Sequence, residues 1–286
     1  MEIIDLHTHS VPPEIVRERD TWCARDRWFA RLYSDTAARL ADAEQLVVSM
    51  DDAGIARSVT FGFAFAELEL CALCNDYVID AAARYADRLI PFAVTNPAAG
   101  AAGIALAERA LSAGARGIGE LMPAGQGYIL ADAAALDPLM ALAREADVPV
   151  MLHINEPLGH DYPGKADQGP REALALAQRY PANRLVLAHL GGGLPFYELM
   201  PEVRAALQRV TYDTSASPLL YDDVVLQHIL AWAPDRLAWG SDYPLLRQSR
   251  FLQRVRRLNL EPDALARLLQ HNAERVLGLP TPSEEV

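Results

Sequence analysis

Two histidines stand two positions apart near the amino terminus, in the segment IIDLHTH at residues 3–9. Side chains of a β-strand alternate between its two faces, so His7 and His9 would point in the same direction if this apolar segment is a strand. Two neighbouring imidazoles at a strand end can bind one metal ion. A single pair with this spacing is nevertheless a weak signal, because such pairs also arise by chance or for structural reasons.

Short apolar segments alternate along the chain with amphipathic segments rich in Ala, Leu, Arg and Glu. Eight short segments have the composition of strands: EIIDLHTH, ARSVTFGFAF, RLIPFAVTNP, GARGIGELMP, VPVMLHINEP, RLVLAHLGGG, RVTYDTSASP and RLAWGSDYP. This alternation predicts a parallel α/β fold, and eight repeats favour a closed (β/α)8 TIM barrel. An open doubly wound sheet is the alternative, but it usually has a glycine-rich phosphate loop where this chain has HTHSVPP.

Polar residues recur at the ends of the predicted strands, where the active sites of such barrels lie. Glu120 ends the fourth strand, His153 the fifth, His189 the sixth and Asp242 the eighth. Independent accidents should not place so many histidines and carboxylates at matching ends. Imidazole and carboxylate ligands suit zinc, manganese, iron or nickel. We therefore predict a divalent metal site, with one or two ions per chain and zinc as the first expectation.

The connection after the first strand is long, because residues 10–43 precede the first regular helix. Long connections at strand ends often form lids or binding loops. Four side chains of this segment could therefore cover a ligand: Trp22, Arg27, Trp28 and Tyr33. Of these, Arg27 and Trp28 are candidate substrate contacts, although a helical hairpin that packs on the barrel without touching substrate explains the segment equally well. Residues 261–279 have helical spacing, and residues 1–286 are predicted to form a single domain.

Charge and composition narrow the class of partner. The formal net charge is −12 and no basic run is present, which disfavours a nucleic-acid partner. We see no signal peptide and no apolar run long enough to cross a bilayer, so we expect a cytoplasmic protein without a membrane partner. The three cysteines, Cys23, Cys71 and Cys74, make no disulfide framework, which fits a reducing compartment. Cys71 and Cys74 fit buried thiols of a helix.

Several motifs resemble those of the amidohydrolase superfamily, in the branch called amidohydrolase family 2. The matching segments are DLHTH, LHINEP, AHLGGG, YDTSA, GSDYP and HNAERVLGL, which are spread over nearly the whole chain. The segment GIGEL is also similar to that of TatD-like metal-dependent hydrolases, in which a glutamate of the fourth strand joins the metal site. The resemblance implies a metal-dependent hydrolase or nonoxidative decarboxylase.

The resemblance also implies a role for each matching residue. Four residues match metal ligands of the family: His7, His9, His153 and Asp242. His189 matches a histidine that binds a second metal or directs the attacking water. Many relatives bridge two metals with a carboxylated lysine on the fourth strand, but Lys165 is the only lysine here and lies in a loop. Glu120 is the available replacement, and a buried ion pair between Glu120 and an arginine such as Arg116 is the alternative.

The expected reaction is metal-dependent hydrolysis of a small-molecule ester, lactone, amide or phosphoester. Asp242 would move a proton from the attacking water to the leaving group, and His189 would stabilise negative charge. Glu120 favours hydrolysis because a carboxylate on the fourth strand suits two metals. Two alternatives stay open: metal-dependent nonoxidative decarboxylation of an unsaturated or aromatic carboxylic acid, and a metal-binding barrel without catalysis.

The strand loops supply further candidates for contact with a small-molecule substrate: Gln126, Tyr128, Asn155 and Arg247. Arg247 could bind a substrate carboxylate through its guanidinium, or could lie at the surface where a helix begins. Asp5 could support the metal site from below or make only strand-end hydrogen bonds. The apolar segment FYELM, which begins at Phe196, fits either the interface of a homodimer or the core.

Overall fold

The computed structural model describes residues 1–280, in which strands alternate with helices as the sequence predicts. The strands are β1 (Ile4–His9), β2 (Arg57–Phe61), β3 (Leu89–Pro91), β4 (Ile118–Leu121), β5 (Val150–Leu152), β6 (Leu185–Leu187), β7 (Val210–Asp213) and β8 (Leu237–Ala238). The strands pair in parallel in two sheets, in the order β1-β2-β3 and in the order β4-β5-β6-β7-β8. Single bridges from Ala93 to Ile118 and from Thr8 to Tyr243 close these sheets into a ring. The predicted (β/α)8 TIM barrel is confirmed.

Helices connect the strands. They are α1 (Pro13–Arg17), α2 (Arg19–Arg25), α3 (Arg27–Tyr33), α4 (Ala43–Ala53), α5 (Leu68–Arg84), α6 (Ala101–Ser112), α7 (Pro123–Gln126), α8 (Ala133–Glu145), α9 (Pro170–Arg179), α10 (Pro201–Ala206), α11 (Ser217–Leu220), α12 (Val224–Trp232), α13 (Gln248–Arg257), α14 (Pro262–Ala266) and α15 (Asn272–Leu277). A π-helical turn, Arg267–His271, joins α14 to α15, so the predicted last helix is one continuous run. Residues 281–286 of the predicted domain lie outside the described residues. Within the described part of the chain, no helix is long and apolar enough to span a membrane.

The first strand shows how one strand serves both the core and the site. Ile4 and Leu6 are fully buried and belong to a hydrophobic cluster, whereas Asp5, His7 and His9 alternate with them. This alternation places the two histidine rings together, with their Nε2 atoms 3.3 Å apart. The period-two pattern of this segment therefore positions the polar residues without breaking the apolar packing.

The insertion after β1 packs on the loops at the carboxyl end of the barrel. A Cβ atom on Gly125 would lie 2.5 Å from Trp28 of α3, and one on Gly164 would lie 3.2 Å from Leu32. These contacts place α3 against the loops that follow β4 and β5. The insertion therefore borders the strand ends, and its contact with substrate stays a prediction.

The segment that begins at Phe196 lies at the surface. Phe196, Tyr197, Leu199 and Met200 expose between 39% and 62% of their surface. The core interpretation is therefore wrong for these four side chains, because they contact solvent instead of packing inside. A homodimer interface at this segment stays a prediction.

Asp26 connects the insertion to the barrel, and we predict that its loss destabilises the protein. Its Oδ1 accepts hydrogen bonds from the amides of Trp28 (2.9 Å) and Phe29 (2.8 Å), and its Oδ2 accepts one from Ala66 (3.0 Å). Asp26→Ala removes a helix cap and leaves three amides without this acceptor, of which that of Phe29 is buried. We expect the free energy of unfolding to fall by about 2–4 kcal/mol, measured by urea denaturation followed by circular dichroism.

Asp35→Ala is the matched control for this prediction. Its Oδ1 also accepts an amide hydrogen bond, from Ala37 at 2.8 Å, but at an exposed position where water can replace the carboxylate. This variant should lose less than about 1 kcal/mol. Equal losses in the two variants would show that Asp26 has no special role in holding the insertion.

Candidate metal centre

Six side chains from five strand ends meet at the carboxyl end of the barrel: His7, His9, Glu120, His153, His189 and Asp242. They form two groups, and the ligand atoms within each group lie within 4.8 Å of one another. We call His7, His9 and Asp242 the β1 group, and we call Glu120, His153 and His189 the β4 group. The structure thus brings together all six residues that the sequence proposes as metal ligands.

The β1 group joins the first strand to the segment after the last one. Oδ1 of Asp242 lies 3.7 Å from His7 Nε2 and 3.4 Å from His9 Nε2. The other ring nitrogen of His7, Nδ1, lies 2.9 Å from Oδ2 of Asp213. A carboxylate behind an imidazole fixes the ring orientation and directs the opposite nitrogen toward a metal. Nε2 is therefore the atom that His7 offers to a cation.

Glu120 lies between the two groups. Its Oε1 is 3.0 Å from His153 Nδ1 and 3.2 Å from His189 Nε2. Its Oε2 is 3.6 Å from His7 Nε2 and 3.7 Å from His9 Nε2. One carboxylate therefore presents a different oxygen to each group.

The ion pairs of Glu120 in the described chain are with histidines, and Arg116 is exposed. The alternative of a buried pair between Glu120 and Arg116 is therefore wrong. Arg116 follows a turn at the solvent side of β4, whereas the Glu120 side chain is 1% exposed inside the barrel.

Unusual backbone positions accompany three of the site residues. Gly119, directly before Glu120, has no room for a side chain, because a Cβ atom there would lie 2.3 Å from the carbonyl oxygen of Met151. His189 and Asp242 have φ angles of 57° and 61°, in the left-handed region that non-glycine residues seldom adopt. Such conformations persist where surrounding contacts hold them, and they cluster at functional sites.

Opposite charges compensate one another in this buried site. Burial lowers the pKa of His7, but the carboxylates of Asp213 and Glu120 outweigh burial and raise it to about 10. Burial also lowers the pKa of His189, and the hydrogen bond and charge of Glu120 raise it to about 9. Burial raises the pKa of Asp242, but the neighbouring histidines lower it to about 2. His7, His153 and His189 hold the pKa of Glu120 well below its usual range against the effect of burial.

The donor atoms fit a divalent cation. Imidazole nitrogens and carboxylate oxygens are the ligands that zinc, manganese, iron and nickel share. The Nε2 atoms of His7 and His9 can share only one proton across 3.3 Å. A cation satisfies both nitrogen lone pairs and the adjacent carboxylates at once. The site can therefore hold a metal ion with residues that are already in place.

Asp213, at the end of β7, supports both groups and was not among the predicted site residues. Besides its contact with His7, its Oδ1 accepts hydrogen bonds from the amides of His189 (3.2 Å) and Ser215 (3.0 Å). Ser215 Oγ in turn lies 2.9 Å from His189 Nδ1. The available signal was its position, because Asp213 is a polar residue at the end of a predicted strand.

Asp5 supports the site through the backbone and not through an imidazole. Its Oδ1 accepts hydrogen bonds from the amides of His7 (3.2 Å) and Ser241 (2.8 Å), and its Oδ2 accepts one from Gln248 Nε2 (2.8 Å). Burial raises its pKa to about 6. Asp5 therefore makes strand-end hydrogen bonds, which was one of the two roles that the sequence left open for it. These bonds hold β1 against the segment that carries Asp242.

Asn155 lies beside the β4 group, in the loop after β5. Its Nδ2 is 3.1 Å from His153 Nε2 and donates to the hydroxyl of Tyr162 at 3.0 Å. The carbonyl oxygen of Gly164 lies 3.3 Å from the same His153 nitrogen. These contacts hold the ring so that its Nδ1 faces Glu120. Substrate contact by Asn155 stays a prediction.

Two other candidate substrate contacts, Gln126 and Tyr128, are buried side chains. Gln126 donates through Nε2 to the carbonyls of Phe65 (3.2 Å) and Thr95 (2.6 Å), and its Oε1 accepts from the amide of Met122 (3.2 Å). Its amide is therefore fully used by the backbone. Tyr128 is 5% exposed, and its hydroxyl has no hydrogen-bond partner among the described residues. These positions do not support substrate contact by either side chain.

The remaining candidates lie around the mouth of the barrel. Arg27 is exposed at the start of α3, and Trp28 is half-buried against Gly125. Arg247 is exposed directly before α13. This is the surface position at the start of a helix that the sequence allowed as the alternative to contact with a substrate carboxylate. None of these three belongs to either metal group, and their contact with substrate stays a prediction.

Tyr33 is one of the four side chains of the insertion that could cover a ligand. Its ring packs 4.8 Å from Phe29 and 5.9 Å from Phe63, measured between ring centroids. Burial and the charges of Asp242 and Glu120 raise the pKa of its hydroxyl, which therefore stays protonated. Contact of Tyr33 with a ligand stays a prediction.

Solved structures share this fold over nearly the full length. The 5-carboxyvanillate decarboxylase LigW from Sphingomonas paucimobilis has a TM-score of 0.80 and 17% identity, covering 98% of this chain and 100% of that chain. The 5-carboxyvanillate decarboxylase from Novosphingobium aromaticivorans, solved with manganese and 4-hydroxy-3-methoxy-5-nitrobenzoic acid, has a TM-score of 0.74 and 19% identity, covering 97% and 96%. The 2,6-dihydroxybenzoate decarboxylase from Rhizobium has a TM-score of 0.70 and 18% identity, covering 97% and 99%.

Family membership rests on the sequence as well as on the fold. No curated protein matches this sequence. The family model described as Amidohydrolase matches residues 4–279, which include both metal groups and all eight strands. The chain therefore belongs to the amidohydrolase family, as its strand-end motifs indicate.

Proposed function

We propose that this protein is a metal-dependent enzyme whose β1 and β4 groups would together hold two divalent ions, with Glu120 within reach of both groups. The position of Glu120 carries the proposal, because its two oxygens face different groups. With Glu120 counted for both groups, the β1 group would offer four protein ligands and the β4 group three. A divalent ion that takes five or six ligands would keep positions for water and substrate in either group. Two-metal sites of this kind stabilise both the attacking and the leaving oxygen of a displacement.

The residues around the site divide the remaining chemical roles. A bound divalent ion lowers the pKa of water toward about 7 and polarises a carbonyl or phosphoryl oxygen. Asp242 turns Oδ1 toward the histidines of the β1 group, and its Oδ2 lies 3.9 Å from His189 Nδ1. We assign Oδ2 as the atom that accepts the proton of the attacking water and returns it to the leaving group. Asp213 keeps His7 and His189 in place throughout.

Hydrolysis of a small ester, lactone, amide or phosphoester is the reaction that Glu120 favours. A second candidate is nonoxidative decarboxylation of an aromatic or unsaturated acid, in which the same proton-transfer groups would deliver a proton to carbon. The three solved relatives described above are decarboxylases, and this similarity supports the second candidate better than the first. The bridging carboxylate and the relatives thus favour different reactions, which a substrate screen can separate.

The identity of the metal is part of the proposal. The nitrogen and oxygen ligands suit zinc, manganese, iron and nickel alike. The Novosphingobium relative was solved with manganese, which supports manganese at least as well as the zinc expected from the sequence. Both ions should therefore be supplied when the protein is reconstituted.

We predict that wild-type protein reconstituted with manganese or zinc binds about two ions per chain, and that Glu120→Gln binds about one. The substitution keeps the side-chain shape and removes the negative charge that both ions would share. Elemental analysis of chelator-free protein after gel filtration measures the stoichiometry.

Glu156→Gln is the control, because Glu156 lies near the same mouth but in neither metal group, and its hydrogen bond from Tyr162 can go to an amide oxygen. Its stoichiometry should equal that of the wild type. About one ion in both wild type and Glu120→Gln would contradict the two-metal proposal and favour a mononuclear decarboxylase.

Substrate screens should separate the two reactions. We predict turnover of lactones, esters or phosphoesters by the two-metal protein, with kcat reduced by about 10²-fold or more in Asp242→Asn because proton transfer is lost. Acid release measures hydrolysis, and carbon dioxide release from 2,6-dihydroxybenzoate and 5-carboxyvanillate measures decarboxylation. Carbon dioxide release without any hydrolysis would establish the second candidate in place of the first.

Metal binding should release protons, because His7 and His189 have pKa values of about 10 and about 9 without a metal and are protonated at neutral pH. A metal needs the unprotonated imidazole, so its affinity should rise with pH toward these values. Calorimetry in buffers of different ionisation enthalpy should show release of about two protons at neutral pH.

His189→Gln should release about one proton fewer, whereas His228→Gln, at an exposed position on α12, should match the wild type. Binding heats that are the same in all buffers would show that no histidine of the site gives up a proton.

A further inference from the structure

A pocket of about 540 Å³, separate from the two metal groups, opens between the end of the insertion, α4 and the loop after β8. This volume lies in the range of small-molecule sites. Tyr243 lines the pocket and directly follows Asp242 in the chain, and its carbonyl oxygen accepts a hydrogen bond from the amide of His9 at 2.7 Å. The pocket therefore lies next to the backbone segment that carries Asp242. None of the six metal-site residues lines it.

Positive charge gathers in this pocket from three separate segments. Arg19 of α2, Arg39 before α4 and Arg247 before α13 line it, and Asp52 is the one carboxylate among the lining residues. The guanidinium of Arg19 is held by a hydrogen bond from Nη1 to the carbonyl oxygen of Asp35 at 2.9 Å. Arg39 and Arg247 are exposed and form no ion pair with any residue of the described chain. This local excess of positive charge contrasts with a net charge of −12 for the whole chain.

The composition of the pocket indicates the chemistry of its ligand. Arginines that line one pocket repel one another, and a bound anion removes that repulsion. A planar guanidinium binds carboxylate and phosphate groups through two parallel hydrogen bonds. Val48 of α4 also lines the pocket and is 61% exposed, which gives an apolar surface for the carbon frame of a ligand.

We propose that this pocket binds a small organic anion that carries two or more carboxylate or phosphate groups. The three arginines come from different segments of the chain, so that more than one of them can pair with an anion that carries several charged groups. The proposal does not depend on the reaction at the metal groups, because no metal ligand takes part. Binding can therefore be measured whether or not the metal proposal is correct.

Calorimetric titration of metal-loaded protein with 1,3-benzenedisulfonate tests the proposal, because this dianion pairs with guanidinium and coordinates divalent metals poorly. We expect a Kd below about 1 mM at low ionic strength, and weaker binding at physiological salt. Arg39→Gln and Arg247→Gln should each raise the Kd about tenfold. Val48→Glu, which adds a carboxylate at an exposed position, should abolish binding.

Arg250→Gln is the matched control, because Arg250 is an exposed arginine on the same helix as the Arg247 segment but does not line the pocket. It should bind the probe as the wild type does. Displacement of the probe by glutarate or by propane-1,3-diyl bisphosphate then distinguishes a carboxylate ligand from a phosphate ligand. No binding to the wild type, or an equal loss in Arg250→Gln and Arg247→Gln, would overturn the proposal.

Discussion

Closure of the barrel between its first and last strands is the constraint on which the site depends. Backbone hydrogen bonds run from Leu6 to Trp239, from Asp242 to His7 and from His9 to Tyr243. These bonds bring the two ends of a long chain into register. Without them, the β1 group would lack its carboxylate.

Charge compensation is the second constraint, because Glu120 and Asp213 are buried carboxylates whose isolation would be very unfavourable. The histidines around them supply the opposite charge, and a cation supplies it more completely. Asp213 contributes twice, through the ring of His7 and the amide of His189. The contacts between these carboxylates and the histidines therefore compensate the buried charges. The same contacts hold the site in a conformation suited to a cation.

The sequence predicts the barrel and the six strand-end residues because both follow from short-range periodicity. Period-two alternation places His7 beside His9, and the rule that strand ends share one face brings in Glu120 and Asp242. The same periodicity does not predict which side chains contact substrate. Gln126 and Tyr128 are buried by tertiary packing, which no local sequence pattern reveals.

Similarity of fold and chemistry of the site give different information about the reaction. A barrel shared at 17–19% identity with decarboxylases fixes the arrangement of strands, but the same barrel supports many reactions. What decides among them is which residues occupy the strand ends. Glu120 is such a residue, because its two oxygens face different ligand groups and it would contact both ions if both groups were occupied. Its contribution to metal stoichiometry therefore bears on the reaction more directly than the overall likeness does.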